Sequence, residues 1–438
     1  MTPWHIRKSE RVSLHDGDIR TPYQRDKARI MHAASFRRLQ AKTQVVGVGI
    51  SDFYRTRLTH SLEAAQIGTG IVAHLKSVKA QLSAQLGLDE YLIETICLGH
   101  DIGHPPFGHG GEVALHYMMS DFGGFEGNGQ TFRILTNLES YSASDGMNLA
   151  RRSLLGILKY PNFIDVLDRK RQYPEKKTKF STVNTAHWIP PKGLFYCDKT
   201  TFDWVLSPLS AQDKEKFTSV LAHDCDRLKT QYKSVDCSIM ELADDIAYAV
   251  HDLEDAVVMS LIDQMAYHKE VTMPLRELAI PWLSDNALRI EEQLFCGKTF
   301  PRKNAIGGLV NAFITAIDMH ALNKFDELLL DINAYLPSQY AIALNTLKQF
   351  VFRHVIRKPE IQILEYKGQQ MIMAMFEVFA NEPQRLLPEN TARRWHDAPS
   401  TAMEMRIIAD YISGMTDEYA NRVYANLFLP KSHRITDR

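Results

Sequence analysis

The stretch Leu98-Gly99-His100-Asp101-Ile102-Gly103-His104-Pro105-Pro106-Phe107-Gly108-His109-Gly110-Gly111-Glu112 places three histidines and two acids within thirteen residues, His100 to Glu112. Gly103, Pro105, Pro106 and Gly108 break an apolar helix that ends near Gly99 and force a tight loop before a new helix opens around Gly110. His100 and Asp101 then sit at a helix end, and His109 and Glu112 on the first turn of the next helix. Helical periodicity on both sides of this loop, with sparse strand signals, predicts a mainly all-α fold with small irregular or β insertions.

A His-Asp dipeptide alone carries no weight, because it occurs at His15, His100, His223, His251 and His396. The copy at His100 and Asp101 is set apart by its loop and by two further candidates, His60 in Arg57-Leu58-Thr59-His60 and the downstream Asp244. Two imidazoles and two carboxylates suit one divalent transition metal; neither a thiolate quartet nor an all-oxygen cage is present. The rival reading is a buried polar network without a metal, which would be costly to bury. His109 and Glu112, three apart on one helical turn, allow the carboxylate to orient and charge-stabilise the imidazole, an arrangement suited to proton transfer or nucleophilic activation. Their bland counterpart is a helix N-terminal charge pair. For His104, loop packing and support of a substrate both stand open. His15, His223 and His396 read as surface or packing residues, and His251 as pointing off the face used by Asp252.

Leu58, Leu62, Ala65, Thr69 and Val72 recur at helical spacing and predict an apolar stripe on the helix that carries His60. Further helices are expected over 89–99, 130–138, 151–159 and 238–261, the last opened by a capping box of Ser238 and Glu241. Along that helix Asp244, Tyr248 and Asp252 are four apart and share one face over about 12 Å, whereas Asp245 lies about 100° away. Residues 160–203 hold Pro161, Pro174, Pro190, Pro191 and clustered lysines, and read as a loop or irregular insertion. The organisation expected is a metal-dependent core over 1–270 containing that insertion, and a helical region over 271–438 that completes the fold and supplies oligomer contacts.

The chain has 438 residues, 45% apolar and 24% charged, enough to bury a large core. A formal net charge of -1 gives no global attraction to nucleic acid. Five cysteines without CxxC spacing point to free thiols in a reducing compartment. With no charged-then-apolar leader and no apolar run long enough for a bilayer, a cytoplasmic protein without membrane contact is expected.

The segments Arg20-Thr21-Pro22-Tyr23-Gln24-Arg25-Asp26, Phe36-Arg37-Arg38-Leu39-Gln40, Thr43-Gln44-Val45, Arg57-Leu58-Thr59-His60-Ser61, the glycine-rich loop and Ala243-Asp244-Asp245-Ile246-Ala247-Tyr248 resemble, in order, the motifs of the bacterial dGTP triphosphohydrolases of the HD superfamily. Glu365-Tyr366-Lys367-Gly368 echoes a C-terminal motif of the same family. The resemblance implies hydrolysis of dGTP, with other dNTPs in reach, at the alpha-phosphorus to a deoxynucleoside and tripolyphosphate. It implies one manganese, iron, cobalt or magnesium ion on His60, His100, Asp101 and Asp244. His109 and Glu112 become the catalytic pair, attacking directly or activating water. Tyr248 would pack on the deoxyribose and Asp252 bind its 3'-hydroxyl. Gln44 and Asn128 match polar contacts, Arg57, Lys159 and Lys179 the cations a triphosphate needs, and Glu365 a further substrate contact. Relatives form homo-oligomers, a hexamer being one form, and some respond to dNTPs or single-stranded DNA at separate regulatory sites that this sequence does not locate.

Two other classes keep the same metal set. An HD-type phosphodiesterase or 5'-nucleotidase has no evident need of His109 with Glu112 or of a lysine clamp. A nucleotide or single-stranded DNA sensor has no need of catalysis, and the presence of both His109 and Glu112 argues against it.

Overall fold

The computed structural model describes residues 2–9, 17–44, 55–168, 173–177, 179–180, 183–223 and 227–430. Val45, His15 and Cys225 fall outside them. Among the described residues the fold is mainly α: strands are confined to two antiparallel hairpins, β1 (Val220–His223) with β2 (Arg227–Thr230) and β3 (Asp318–Ala321) with β4 (Ile332–Tyr335).

The helices that position the candidate residues are α1 (Pro22–His32), α2 (Arg57–Val78), α3 (Glu90–Gly99), α4 (Gly108–Met119), α5 (Gly127–Arg133) and α6 (Val235–Val258). Helix α2 packs against both α3 and α6, which brings His60, His100 and Asp244 to one place. Its start is set by Thr56, whose hydroxyl accepts the Thr59 N–H while the Thr59 hydroxyl accepts the Thr56 N–H. Asp89 caps α3 by accepting the Leu92 N–H.

Several boundaries and part of one face differ from the sequence expectation. The long helix opens at Val235 under a cap from Ser234, which accepts the Cys237 N–H, so Ser238 and Glu241 form no capping box. Ser238 is already inside the helix and its hydroxyl donates to the Val235 carbonyl. The helix after the glycine loop opens at Gly108, because Phe107 adopts a left-handed backbone and turns the chain early. On α2 the expected stripe is met in part: Ala65 and Val72 are buried together with Ala64, Ile67, Gly68, Ile71 and Leu75, Leu58 is partly buried, and Leu62 is exposed. Close approach sets the side facing α3: a Cβ at Gly68 would meet Cys97 Sγ and Ile93 at 2.9 Å, so α3 lies directly over Gly68. The segment 130–138 divides into α5 and a π turn over Ile134–Leu138.

Gly103 fixes the loop against α5. A Cβ there would stand 2.1 Å from the Thr131 nitrogen and 2.3 Å from the Gly127 oxygen, which backbone cannot vacate. Within the irregular segment the Leu194 N–H donates to the Asn162 carbonyl and the Ile164 N–H to the Leu194 carbonyl. That parallel bridge turns residues 190–194 back toward α4.

The C-terminal helices α7 (Pro359–Asn381) and α8 (Thr401–Ser413) pack against α4, and α9 (Asp417–Phe428) packs on α7. Val113, Ala114 and Tyr117 of α4 share a second apolar core with Ile372, Phe376, Ile408 and Ile412. A buried ion cluster ties the same regions: Arg133 of α5 holds both oxygens of Asp410 at 3.0 and 2.9 Å and Asp198 at 2.9 Å.

Gly103→Ala is expected to destabilise the protein by about 2–3 kcal/mol in urea unfolding through overpacking. Gly307→Ala, in the helix Thr299–Ala316 with nothing within 4 Å of its Cβ position, is expected to add about 0.5–1 kcal/mol. Equal effects of the two would remove the close-approach argument.

Candidate active site

His60 lies in the first turn of α2, His100 and Asp101 at the C-terminal end of α3, and Asp244 midway along α6. His60 Nε2 is 3.0 Å from Asp244 Oδ1, and His100 Nε2 is 3.5 Å from the same oxygen and 3.4 Å from Asp101 Oδ1. The His100 Nδ1 donates to the Cys97 carbonyl at 2.6 Å, which fixes the ring and directs the Nε2 lone pair at the carboxylates. Nε2 is buried and has no hydrogen-bond partner. Ligand atoms of His60, His100 and Asp101 lie within 4.8 Å of one another. An orphaned imidazole nitrogen aimed between two acids is the donor set a divalent cation takes.

The electrostatics agree. Burial works against a charged imidazole at His100, yet Asp101 and Asp244 outweigh it and push the ring up to about 9. Both acids are held well below the usual carboxylate range, against the pull of burial, Asp101 by His104, His100 and Arg57 and Asp244 by His100 and Lys159. The two ionised acids thus call for positive charge at the His100 imidazole.

The outer oxygens of both acids meet cations. Arg57 donates to Asp101 Oδ2 at 2.7 Å, and Lys159 lies 3.4 Å from Asp244 Oδ2 and 3.8 Å from Glu241. Asp245 is turned away and pairs with Lys348 at 2.6 Å.

His109 and Glu112 meet on the first turn of α4, Nδ1 to Oε2 at 3.2 Å. The imidazole is 71% exposed and the carboxylate 2%. The other oxygen of Glu112 accepts the Gly127 N–H and Lys192 Nζ, both at 2.9 Å. His104 links the two groups: its Nδ1 is 3.1 Å from Asp101 Oδ1 and its ring stands edge-on to His109 at 6.2 Å between centroids.

Lys192 escaped the sequence reading. It bridges Glu112 and Glu126, at 2.9 and 3.1 Å. Burial raises Glu126, and Glu112 adds to this; Glu112, also buried, is driven well down by Lys192 and then by His109. Two neighbouring acids are thus pushed apart, the ionised one beneath the imidazole. The only local signal was Pro190-Pro191-Lys192-Gly193, a rigid turn inside a stretch read as irregular. Lys179 is exposed, and Lys176 pairs with Asp121. The Asn128 amide donates to Glu126 at 2.7 Å.

On α6, Tyr248 is half-buried and Asp252 is 3% exposed, with Oδ2 lacking a partner. Burial pushes Asp252 up to about 7. His251 points elsewhere, to Arg55 and Glu63. A cavity of about 370 Å3 opens beside His109 and is lined also by Gln44, Phe107, Glu365, Lys367 and Asp417. Gln44 Oε1 is buried in it without a partner. The structure therefore places Gln44 and Glu365 with His109, and Arg57, Lys159, His60, His100, Asp101 and Asp244 together beside them.

A helical core with His, His-Asp and Asp converging from three helices defines an HD-type, metal-dependent phosphohydrolase. The HD domain model matches residues 57–169, and a phosphohydrolase-associated domain matches 334–426. The chain is 55% identical over 431 residues to a deoxyguanosinetriphosphate triphosphohydrolase-like protein of Shewanella halifaxensis, covering 98% of this chain and 97% of that one. It is 54% identical over 438 residues to the protein so described from Shewanella pealeana, covering 99% and 98%. The chain belongs to this deoxyguanosinetriphosphate triphosphohydrolase-like family, as its motifs implied.

Asp252 gives a pH test of the apo site. Its folded pKa lies above its ordinary value of 3.8, so its contribution to stability is full below about pH 4 and is lost as pH rises through about 7. In chelator, Asp252→Asn is expected to be more stable than the parent by about 4 kcal/mol at pH 8, the gain vanishing toward pH 4. A pH-independent difference in urea midpoints would contradict the burial argument.

Proposed function

We propose that this chain is a dNTP triphosphohydrolase, acting on dGTP first, that releases deoxynucleoside and tripolyphosphate. The observation that carries the reading is the exposed His109 backed by the buried, ionised Glu112 beside the His60, His100, Asp101 and Asp244 set. A phosphodiesterase or nucleotidase needs the second group and not the first.

One divalent ion, from manganese, iron, cobalt or magnesium, would be held by His60, His100, Asp101 and Asp244, and when bound supplies Lewis-acid polarisation of the alpha-phosphate. His109 Nδ1–H donates to Glu112, which leaves Nε2 on the open side as the proton acceptor. A water gives its proton to Nε2 as its oxygen bonds to the alpha-phosphorus. The bond from that phosphorus to the 5'-oxygen breaks with its electron pair going to the oxygen, which takes a proton from solvent and leaves as the nucleoside hydroxyl, and the imidazolium then returns its proton to solvent. Glu112, locked by Gly127 and Lys192, stabilises the imidazolium between these events. Arg57, Lys159 and Lys192 supply positive charge for the phosphates, with Lys179 at the rim. Tyr248 and Asp252 form the sugar wall, Asp252 donating its proton to the 3'-oxygen when neutral. Asn128 and His104 support the phosphate end. Glu365, lining the cavity, would accept the N1–H and amino protons of guanine, where adenine presents a lone pair; Gln44 lines the same cavity.

The same reading takes the protein as cytoplasmic and homo-oligomeric, with 1–270 as the catalytic core and 271–438 carrying subunit contacts. It leaves room for regulation by a dNTP or single-stranded DNA. No described helix is long and apolar enough to cross a membrane.

Incubation with manganese and each dNTP, alone and mixed, is expected to yield deoxynucleoside and intact tripolyphosphate, dGTP fastest. Orthophosphate or pyrophosphate as first product would overturn the reading. His109→Ala should lose at least about 100-fold in kcat while keeping bound metal and dGTP; Asp244→Ala should lose the metal itself. Lys192→Met removes the cation that holds Glu112 ionised, so the acid limb of its pH–rate profile is expected to move to higher pH; an unmoved limb would deny Lys192 that part.

A further inference from the structure

The loop between α3 and α4 is held by groups from both ends of the chain. Asp417, the buried first residue of α9, accepts the Phe107 N–H on Oδ1 at 3.0 Å. Its Oδ2 accepts the Thr43 N–H at 2.9 Å and the Thr43 hydroxyl at 2.5 Å. Beside it Lys42, 2% exposed, donates from Nζ to the His104 carbonyl at 2.6 Å and to the Ser413 carbonyl of α8 at 2.8 Å.

The bonded positions are those that aim the site. Phe107 has φ 62°, a left-handed backbone that a bulky side chain rarely adopts, and it is the cap residue from which α4 and His109 project. Thr43 precedes Gln44, which lines the same cavity as His109. One carboxylate therefore sets two walls of that cavity, and it comes from the C-terminal region.

We infer that Asp417, supported by Lys42, is a positioning residue that fixes His109 and Gln44, so that the C-terminal helices set the reacting geometry. The inference rests on the function proposed above. A merely structural acid would lower stability on removal and leave turnover per folded molecule alone. A positioning acid lowers kcat with the metal still bound, because misplacement of a reacting group by about 1 Å costs on the order of 100-fold.

The experiment uses the full chain loaded with manganese and compares the parent, Asp417→Asn and Asp417→Ala, with Thr43→Val and Thr43→Ser as a milder pair. The expected result is a kcat on dGTP lower by about 10-fold in D417N and about 100-fold in D417A, a smaller change in KM, and unchanged metal content. Hydrogen–deuterium exchange should speed over residues 104–112 and not over 57–78. Thr43→Val should lose activity that Thr43→Ser retains. Should D417A fail to fold, D417N and the Thr43 pair decide. Parental kcat and parental exchange over 104–112 in D417N would overturn the inference. Exchange needs no turnover, so a parent inactive on dGTP would remove the proposed function while the exchange result still decides the clamp.

Discussion

Asp101 and Asp244 are the charges around which the molecule is arranged. Each sends one oxygen inward to the imidazoles and the other outward to a cation, Arg57 or Lys159. The outward pairs offset the cost of bringing two carboxylates into a buried site, where an uncompensated charge costs several kcal/mol. The inward oxygens remain short of positive charge, which is why His100 is pushed up to about 9. A divalent ion meets that demand more completely than a shared proton. The three helices bearing these residues lie close, and the small face of α2, with Ala64 and Gly68, permits it.

A second charge system lies one step out and obeys the same logic with the roles divided. Lys192 sits between Glu112 and Glu126, and a single cation cannot fully support both acids. Glu112 also has His109 and the Gly127 N–H, so it holds the charge, while Glu126 is raised. His104 stands between the two systems, near Asp101 on one side and His109 on the other.

The C-terminal helices are part of this machinery and not an appendage. Their apolar faces complete the core under α4, and Arg133 with Asp410 locks α5, whose first N–H anchors Glu112. Asp417 and Lys42 reach the loop itself. The domain models that match 57–169 and 334–426 thus correspond to segments that meet in one packed body.

The helical class was legible in local periodicity, and the grouping of His60, His100 and Asp101 with the distant Asp244 was legible through the resemblance of their motifs to the HD family, not through spacing. The pairing of His109 with Glu112 was legible from spacing, since a three-residue separation on one helical turn fixes proximity. Other features were not. The stripe read on α2 was right at Ala65 and Val72 and wrong at Leu62, because close packing selects small residues such as Gly68 that periodicity counts do not weigh. Ser234 and not Ser238 caps α6, since both serines fit a local pattern and only the preceding turn chooses. Lys192, Asp417 and Lys42 came from segments with no motif: their roles arise where residues separated by 62 to 374 positions meet, as Lys42 does with the His104 carbonyl and Asp417 with Thr43. By itself the sequence determined which groups could bind a metal and move a proton. The tertiary structure alone decided which charges balance them, because the balance of buried charge depends on distance in space and not on distance along the chain.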